Sequence, residues 1–272
     1  MLYSPLRYPG GKNKILPIVK KICEANQIEH FLELFCGGAN LGLNLLIGGT
    51  VSTITINDRD PLIYAFWYSV LHHSTALCFK IREARVDIQN WRRQKKILDT
   101  KNDIKDLIKL GFAAFFLNRT NFNGILSARP IGGLAQTGRN KIDSRFPKKK
   151  LIQKIKFISK FSEKINLIGG RDALEIIKIF DKKKSKINNK MFYFDPPYLT
   201  KSKKLYDDSL FQKKDHSKLA FLISNIKSHW IISYDACDKI QRMYHFAPQK
   251  LFYSPRELMF FSKNIARHVS KN

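Results

Sequence analysis

The sequence predicts an α/β fold, a parallel sheet with helices on both faces, split by an inserted domain that is mostly helical and carries a β-hairpin. Three observations predict it. Short apolar runs alternate with helical patterns near both ends of the chain. Each of the two sharpest runs closes on a turn, Gly37-Gly38 in one case and Asp195-Pro196-Pro197 in the other. Between them, from about residue 70 to 165, lies an insertion of roughly a hundred residues, within ordinary boundary error, with its own composition and most of the glycine-rich loops.

The elements follow in order. Phe31 to Phe35 is a short apolar run broken by Gly37-Gly38, and Ala39 to Ile47 then places Leu41, Leu45 and Leu46 at helical spacing before Gly48-Gly49 stops it. Val51 to Ile56 is β-rich and ends at Asn57-Asp58-Arg59-Asp60-Pro61, with a helix expected from Leu62. This is a β-α-β unit, which implies parallel pairing. Residues 75–117 interleave charge with apolar residues and contain no proline, as helices would. A loop-rich stretch runs from Asn118 to Pro147, and Leu151 to Phe161 has a basic helical pattern. Lys182 to Asn189 reads as an exposed loop. Met191 to Phe194 is a strand, His216 to Ile226 a helix, Trp230 to Ser233 a strand and Asp238 to Tyr244 a helix. A strand pair around Leu251–Tyr253 and Leu258–Ser262 ends the chain. The expected domains are residues 1–70 with 165–272, and residues 71–164.

Length and composition narrow the class. A chain of 272 residues, 44% hydrophobic with 20 Phe and 10 Tyr, can bury a substantial core, which excludes a disordered tail. The apolar stretch Leu110–Leu117 is far too short to span a bilayer and the N-terminus has no signal-peptide core, so a soluble, cytoplasmic protein is expected. Cys23, Cys36, Cys78 and Cys237 form no C-x-x-C pair; no metal site or disulfide framework is expected. The histidines and Trp67, Trp91 and Trp230 show no catalytic spacing. The formal charge is +27, and it is regional: residues 1–70 hold 6 basic and 5 acidic groups, whereas residues 139–190 hold 17 and 5. Such an excess suits a nucleic-acid face, because counterion release scales with the phosphates neutralised.

Two turns carry the chemistry. Gly37-Gly38 lies where a strand becomes a helix, and Asp58 follows 20 residues after Gly38 at the tip of the next strand. Glycines let a ligand approach the backbone, and a carboxylate at that tip can accept from both ribose hydroxyls. The same residues also suit an ordinary strand-to-helix turn. Neither the full G-x-G-x-x-G nor a phosphate-binding G-x-x-x-x-G-K-[ST] loop is present, so a nucleoside without phosphate fits best. Asp195-Pro196-Pro197-Tyr198 stands at the carboxyl end of a strand, where open α/β sheets bind ligands. Two prolines stiffen the turn and remove two donors, leaving acceptors from Asp195 and the Pro196 carbonyl, with Tyr198 as a flat ring. Together they suit a planar group bearing an amine; a rigid Pro-Pro turn with an aspartate cap is the structural alternative.

The motifs Ser4-Pro-Leu-Arg-Tyr8-Pro-Gly-Gly-Lys12, Phe35-Cys-Gly-Gly, Asn57-Asp58-Arg-Asp60, Asn118-Arg-Thr-Asn-Phe-Asn-Gly124 and Asp195-Pro-Pro-Tyr198 occur in this order over nearly the whole chain. In this the sequence resembles the Dam-like, alpha-group DNA adenine-N6 methyltransferases. The resemblance implies a Rossmann-like methyltransferase sheet, with residues 71–164 as target-recognition domain. It implies S-adenosylmethionine as cofactor and no metal, double-stranded DNA as partner, and a role in restriction-modification or epigenetic marking, in the first case with a cognate restriction endonuclease that shares the target site without necessarily contacting it. Tyr8, Lys12, Phe35, Gly37, Gly38, Asp58 and Asp195 would bind the cofactor; Ala39 stands where the second glycine of F-x-G-x-G is often found. Asp172 would border the adenine of the cofactor, or else cap a helix starting at Ala173. Asp195, Pro196, Pro197 and Tyr198 would form the catalytic turn. Arg119, Asn121, Phe122 and Asn123 would touch DNA from a hairpin or tight loop turned at Asn123-Gly124, with Phe122 either a wedge or a core residue. RNA adenine methylation, DNA cytosine-N4 methylation and a non-catalytic DNA-binding relative are the rival readings.

Overall fold

A computed structural model of the chain describes residues 3–7, 12–101, 104–182, 189–199, 211–254 and 257–266. They fall into two compact units, Met1–Gly11 with Asp60–Leu167, and Lys12–Arg59 with Ile168–Asn272. The expected boundaries instead left the first eleven residues and the helix after Asp60 with the sheet.

The sheet has seven strands: β1 (His30–Glu33), β2 (Thr53–Ile56), β3 (Ile165–Leu167), β4 (Lys190–Phe194), β5 (His229–Asp235), β6 (Gln249–Ser254) and β7 (Glu257–Phe261). Their order is β3-β2-β1-β4-β5-β7-β6. β1 pairs in parallel with β2 on one side and β4 on the other, while β7 runs antiparallel between β5 and β6. The chain therefore reverses its direction of travel between β1 and β4, and their carboxyl ends open the crevice in which such sheets bind ligands. The central strands are buried on both faces, so β1, β4 and β5 read as near-continuous apolar runs. Around them come α1 (Leu16–Ala25), α2 (Asn40–Ile47), α8 (Ala173–Lys182), α9 (Lys213–Ser224), α10 (Asp238–Met243) and α11 (Lys263–Ala266). Leu32, Phe192, Phe194, Ile232 and Phe260 form one core with Ile176 and Ile177 of α8 and Leu219 and Ile223 of α9.

The other unit is helical: α3 (Pro61–His72), α4 (Ser74–Glu83), α5 (Ile88–Asp99), α6 (Leu107–Thr120) and α7 (Lys148–Ser159). The expected helical stretch 75–117 is thus three helices. Asp87 and Asp106 start two of them by accepting from the backbone N–H groups of Asn90 and Lys109. Gly111 lets α6 lie directly on α3, since a β-carbon there would strike the Ala65 carbonyl and the Ser69 hydroxyl. The buried Phe66 ring of α3 stacks on Phe115 of α6 at 5.7 Å.

The β-hairpin expected in this unit does not form among the described residues. The Asn-Gly signal does make its turn: Asn123 (φ 54°) and Gly124 (φ 77°) both take positive φ, as in the two-residue turns of hairpins. Strands do not flank it, because α6 carries its helical hydrogen bonding through Thr120, and only an isolated bridge joins Asn121 to Pro130. No helix among the described residues is long and apolar enough to cross a membrane.

Candidate functional site

The two turns singled out in the sequence leave neighbouring strands at one level. Glu33 of β1 is in register with Tyr193 of β4, so Phe35 and Asp195 are each two residues beyond a paired position. After β1 the chain stays tied to the sheet, with the Cys36 N–H donating to the Asn57 carbonyl at 2.9 Å. It then turns through Gly37 (φ 45°) and Ala39 (φ 47°) into α2. Ala39, where the second glycine of F-x-G-x-G is often found, itself takes the left-handed conformation. Gly37 donates its N–H to Asp58 Oδ2 at 2.8 Å, which fixes the carboxylate at the tip of β2 beside the glycine turn. Phe35 packs edge-on against Phe211 at 5.4 Å.

Glu33 lies beneath this turn. Buried, it accepts the Gly42 N–H at 2.9 Å and so ties the first turn of α2 to β1. Burial pushes its carboxyl up to about 8; the Gly42 hydrogen bond opposes this, and the charges of Asp195 and Asp58 add to it.

At the end of β4, Asp195 pairs with Lys12, Oδ1 to Nζ, at 3.0 Å, with side chains 25% and 10% exposed. Lys12 also donates to the Tyr198 hydroxyl at 2.5 Å and the Tyr253 hydroxyl at 3.3 Å, and Tyr198 donates to Glu257 Oε1 at 3.0 Å. Burial raises the Asp195 carboxyl above its ordinary range, while Lys12 opposes that shift by charge and hydrogen bond. Burial also acts against the charge on Lys12, but Asp195, Tyr253 and Glu257 outweigh it and hold the ammonium protonated. The Tyr198 phenol is pushed well up, first by burial and then by Asp195, so it keeps its hydrogen. The turn is held from behind by Asp235, whose carboxylate accepts the Leu199 N–H at 3.2 Å.

Lys12, Phe35, Gly37, Gly38, Asp58, Asp195, Pro196, Pro197 and Tyr198 thus all belong to the sheet unit. Tyr8 lies outside the described residues. Asp172 caps α8, accepting the Leu174 N–H at 2.9 Å, and pairs at 3.6 Å with Arg59. Sequence reasoning missed Glu33, Tyr253 and Glu257. An acidic residue inside the apolar run Phe31–Phe35 was the available signal for the first; the other two stood in a strand pair with no motif.

In the helical unit the Asn118–Gly124 segment divides by exposure. Asn118, 1% exposed, accepts the Arg7 N–H at 2.7 Å and donates to the carbonyls of Arg7 and Gly124, each at 2.8 Å. Asn121, fully buried, accepts from the Trp91 indole at 2.6 Å and donates to the Ile125 and Leu126 carbonyls, each at 2.9 Å. Its amide is spent inside the loop. Phe122 is 55% exposed, which removes the core alternative. Arg119 donates Nε–H to the Arg145 carbonyl at 2.7 Å. Burial and then the charges of Arg7 and Arg145 lower its guanidinium to about 10. Three guanidiniums gathered in this way make an electropositive patch.

The family model described as D12 class N6 adenine-specific DNA methyltransferase matches residues 8–254. No curated protein matches the chain. Among solved structures the chain is similar to the rRNA methyltransferase aviRa from Streptomyces viridochromogenes in a 2.4 Å structure. That likeness has 8% identity and a TM-score of 0.41, covering 96% of this chain and 88% of that one. A 1.5 Å structure of the same protein gives 9% identity and a TM-score of 0.37, covering 94% and 88%. The family match spans both turns and every motif from Lys12 to Tyr198, and the chain belongs to the D12 class of N6 adenine-specific DNA methyltransferases, enzymes that place a methyl group on the N6 amine of adenine in DNA.

Proposed function

We propose that Asp195, with the Pro196 carbonyl, accepts the two hydrogens of the target adenine's amine, and that Tyr198 stacks on the ring. The observation that carries this reading is the Asp195–Lys12 pair at 3.0 Å: the half-buried carboxylate at the end of β4 already holds a nitrogen donor. An acceptor pair there orients an amine whose lone pair is otherwise delocalised into the ring, so catalysis is largely positioning and electrostatics. Adenine within a duplex cannot meet this turn, and the target base leaves the stack of double-stranded DNA to do so.

S-adenosylmethionine supplies a methyl group already activated on a sulfonium. The residues present fit such a cation. Gly37, at positive φ, turns the backbone tightly at the end of β1, Asp58 offers a carboxylate to the ribose hydroxyls, and the half-buried Phe35 offers an apolar surface. The carboxylates of Asp58 and Asp195 give this edge the opposite sign to the bound group. Lys12 holds Asp195 in place until the amine takes over the carboxylate. The helical unit, through Phe122, Asn123 and Arg119, serves target recognition. Cytoplasmic action, for restriction-modification or epigenetic marking, completes the reading.

Asp195→Ala should lower turnover by well over tenfold while cofactor affinity changes much less, and Asp58→Ala should weaken cofactor binding first. Single-turnover methylation and equilibrium dialysis measure the two. An Asp195→Ala enzyme keeping more than about a tenth of wild-type turnover, a loss under roughly 1.4 kcal/mol, contradicts the assignment.

A further inference from the structure

We propose that Glu257, at the start of β7, is a positioning residue that fixes the plane of Tyr198 through its hydroxyl, with Tyr253 of β6 as the second support. The inference rests on the reading of Asp195 and Tyr198 as the amine-holding turn. The hydrogen-bond directions carry it. Lys12 has only donors, so the Tyr198 oxygen must accept from it; the hydroxyl's single hydrogen is then given to Glu257 at 3.0 Å. Tyr253 also accepts from Lys12, at 3.3 Å, and lies 3.4 Å from the Tyr198 hydroxyl, toward which its own hydrogen can point. The phenol is thus held by an ammonium on one side and a carboxylate on the other.

The fold puts Glu257 there for a reason. It is in register with Asp235 across the β5–β7 pair, and Asp235 accepts the Leu199 N–H. One end of the antiparallel pair therefore grips the Asp195–Tyr198 turn twice, once on the backbone after Tyr198 and once on its hydroxyl. A ring that must stack on a flipped base gains from having its plane set beforehand, because a free phenol would be ordered only as the base arrives.

A double-mutant cycle on Glu257→Ala and Tyr198→Phe tests this by single-turnover methylation with saturating DNA and cofactor. Glu257→Ala should slow the step about tenfold with cofactor affinity within twofold of wild type. The double variant should be no slower than the slower single variant, since Glu257 acts through the hydroxyl that Tyr198→Phe removes. Glu257→Gln, whose amide oxygen still accepts, should recover the rate to within about threefold of wild type. Multiplying effects in the double variant, or a Glu257→Ala rate within twofold of wild type, overturns the proposal. If Glu257→Ala does not fold, Glu257→Gln against Glu257→Leu replaces it, and equal rates for those two overturn it. Asp195→Ala, run alongside, separates the premises: retained turnover there sinks the reading of the turn itself, whereas its loss with a multiplying cycle sinks only the role of Glu257.

Discussion

The turn Asp195–Tyr198 follows β4 and the segment Asn118–Gly124 closes α6, yet their side chains face different things. In the first, Asp195 and Tyr198 meet ionisable side chains, Lys12 and Glu257, brought from distant parts of the sequence. In the second, Asn118 and Asn121 meet backbone carbonyls of their own loop and of Arg7. An amide spent on backbone is scaffold, however prominent its motif. A charged or phenolic group held by another such group at a strand's carboxyl end is poised for a ligand. In the loop, that role passes to the residues between the scaffold positions, Phe122 and Asn123.

The comparison breaks first at Asn118. Asn118→Ala strands buried backbone groups of Arg7 and Gly124 and should cost about 3 kcal/mol of stability, at 1–3 kcal/mol for each unsatisfied group. Urea denaturation reads it, and a cost under about 0.5 kcal/mol would mean that the amide is no scaffold.

Glu33 sharpens the other side. Its folded carboxyl, near 8, lies above the ordinary 4.5, so in that window the fold holds a proton that the unfolded chain has released. Stability contributed by this group therefore falls as pH rises from about 4.5 through about 8, the reverse of an ion-paired carboxylate. Glu33→Gln keeps an acceptor for the Gly42 N–H and should flatten that fall; an unchanged pH–stability curve would show that Glu33 is not buried as a neutral acid.

A smaller effect is expected from the basic face. Lys149 and Lys150 are exposed in the first turn of α7, whereas the Lys148 ammonium already donates to the Arg82 carbonyl at 2.8 Å. Replacing Lys149 and Lys150 with Gln should reduce the slope of log affinity against log salt by about 0.9 for each phosphate no longer neutralised, and do so equally for every duplex. A wild-type slope would remove them from the DNA face. Asn123→Gly, which deletes the amide but keeps the positive φ, should leave stability within about 0.5 kcal/mol and change only the preference among sites. Identical methylated sites in the variant would exclude Asn123 from base reading.

Much of the sheet was legible because its signals are local. Apolar runs ending at Gly37-Gly38 and Asp195-Pro196-Pro197 marked β1 and β4, and the Trp230–Ser233 run marked β5. β3 escaped, being three residues long with only one of them buried. The helical unit was legible in type but not in detail: Asn123-Gly124 gave its turn, but nothing in that dipeptide reports that α6 runs on to Thr120. Asp172 shows a similar limit, since a capping aspartate and a ligand aspartate have one sequence signature. Glu257 and Tyr253 could not be found by motif, because their part in the site comes from the β5–β7 register and not from their neighbours.

The central claim, that the end of β4 presents adenine's amine for methylation, is met most directly by nucleoside digestion of DNA and RNA from an unmethylated host expressing the wild-type chain or Asp195→Ala. N6-methyladenine is expected in the DNA of the wild type and none with the variant. N4-methylcytosine in DNA, methylation confined to RNA, or N6-methyladenine persisting with Asp195→Ala would contradict it.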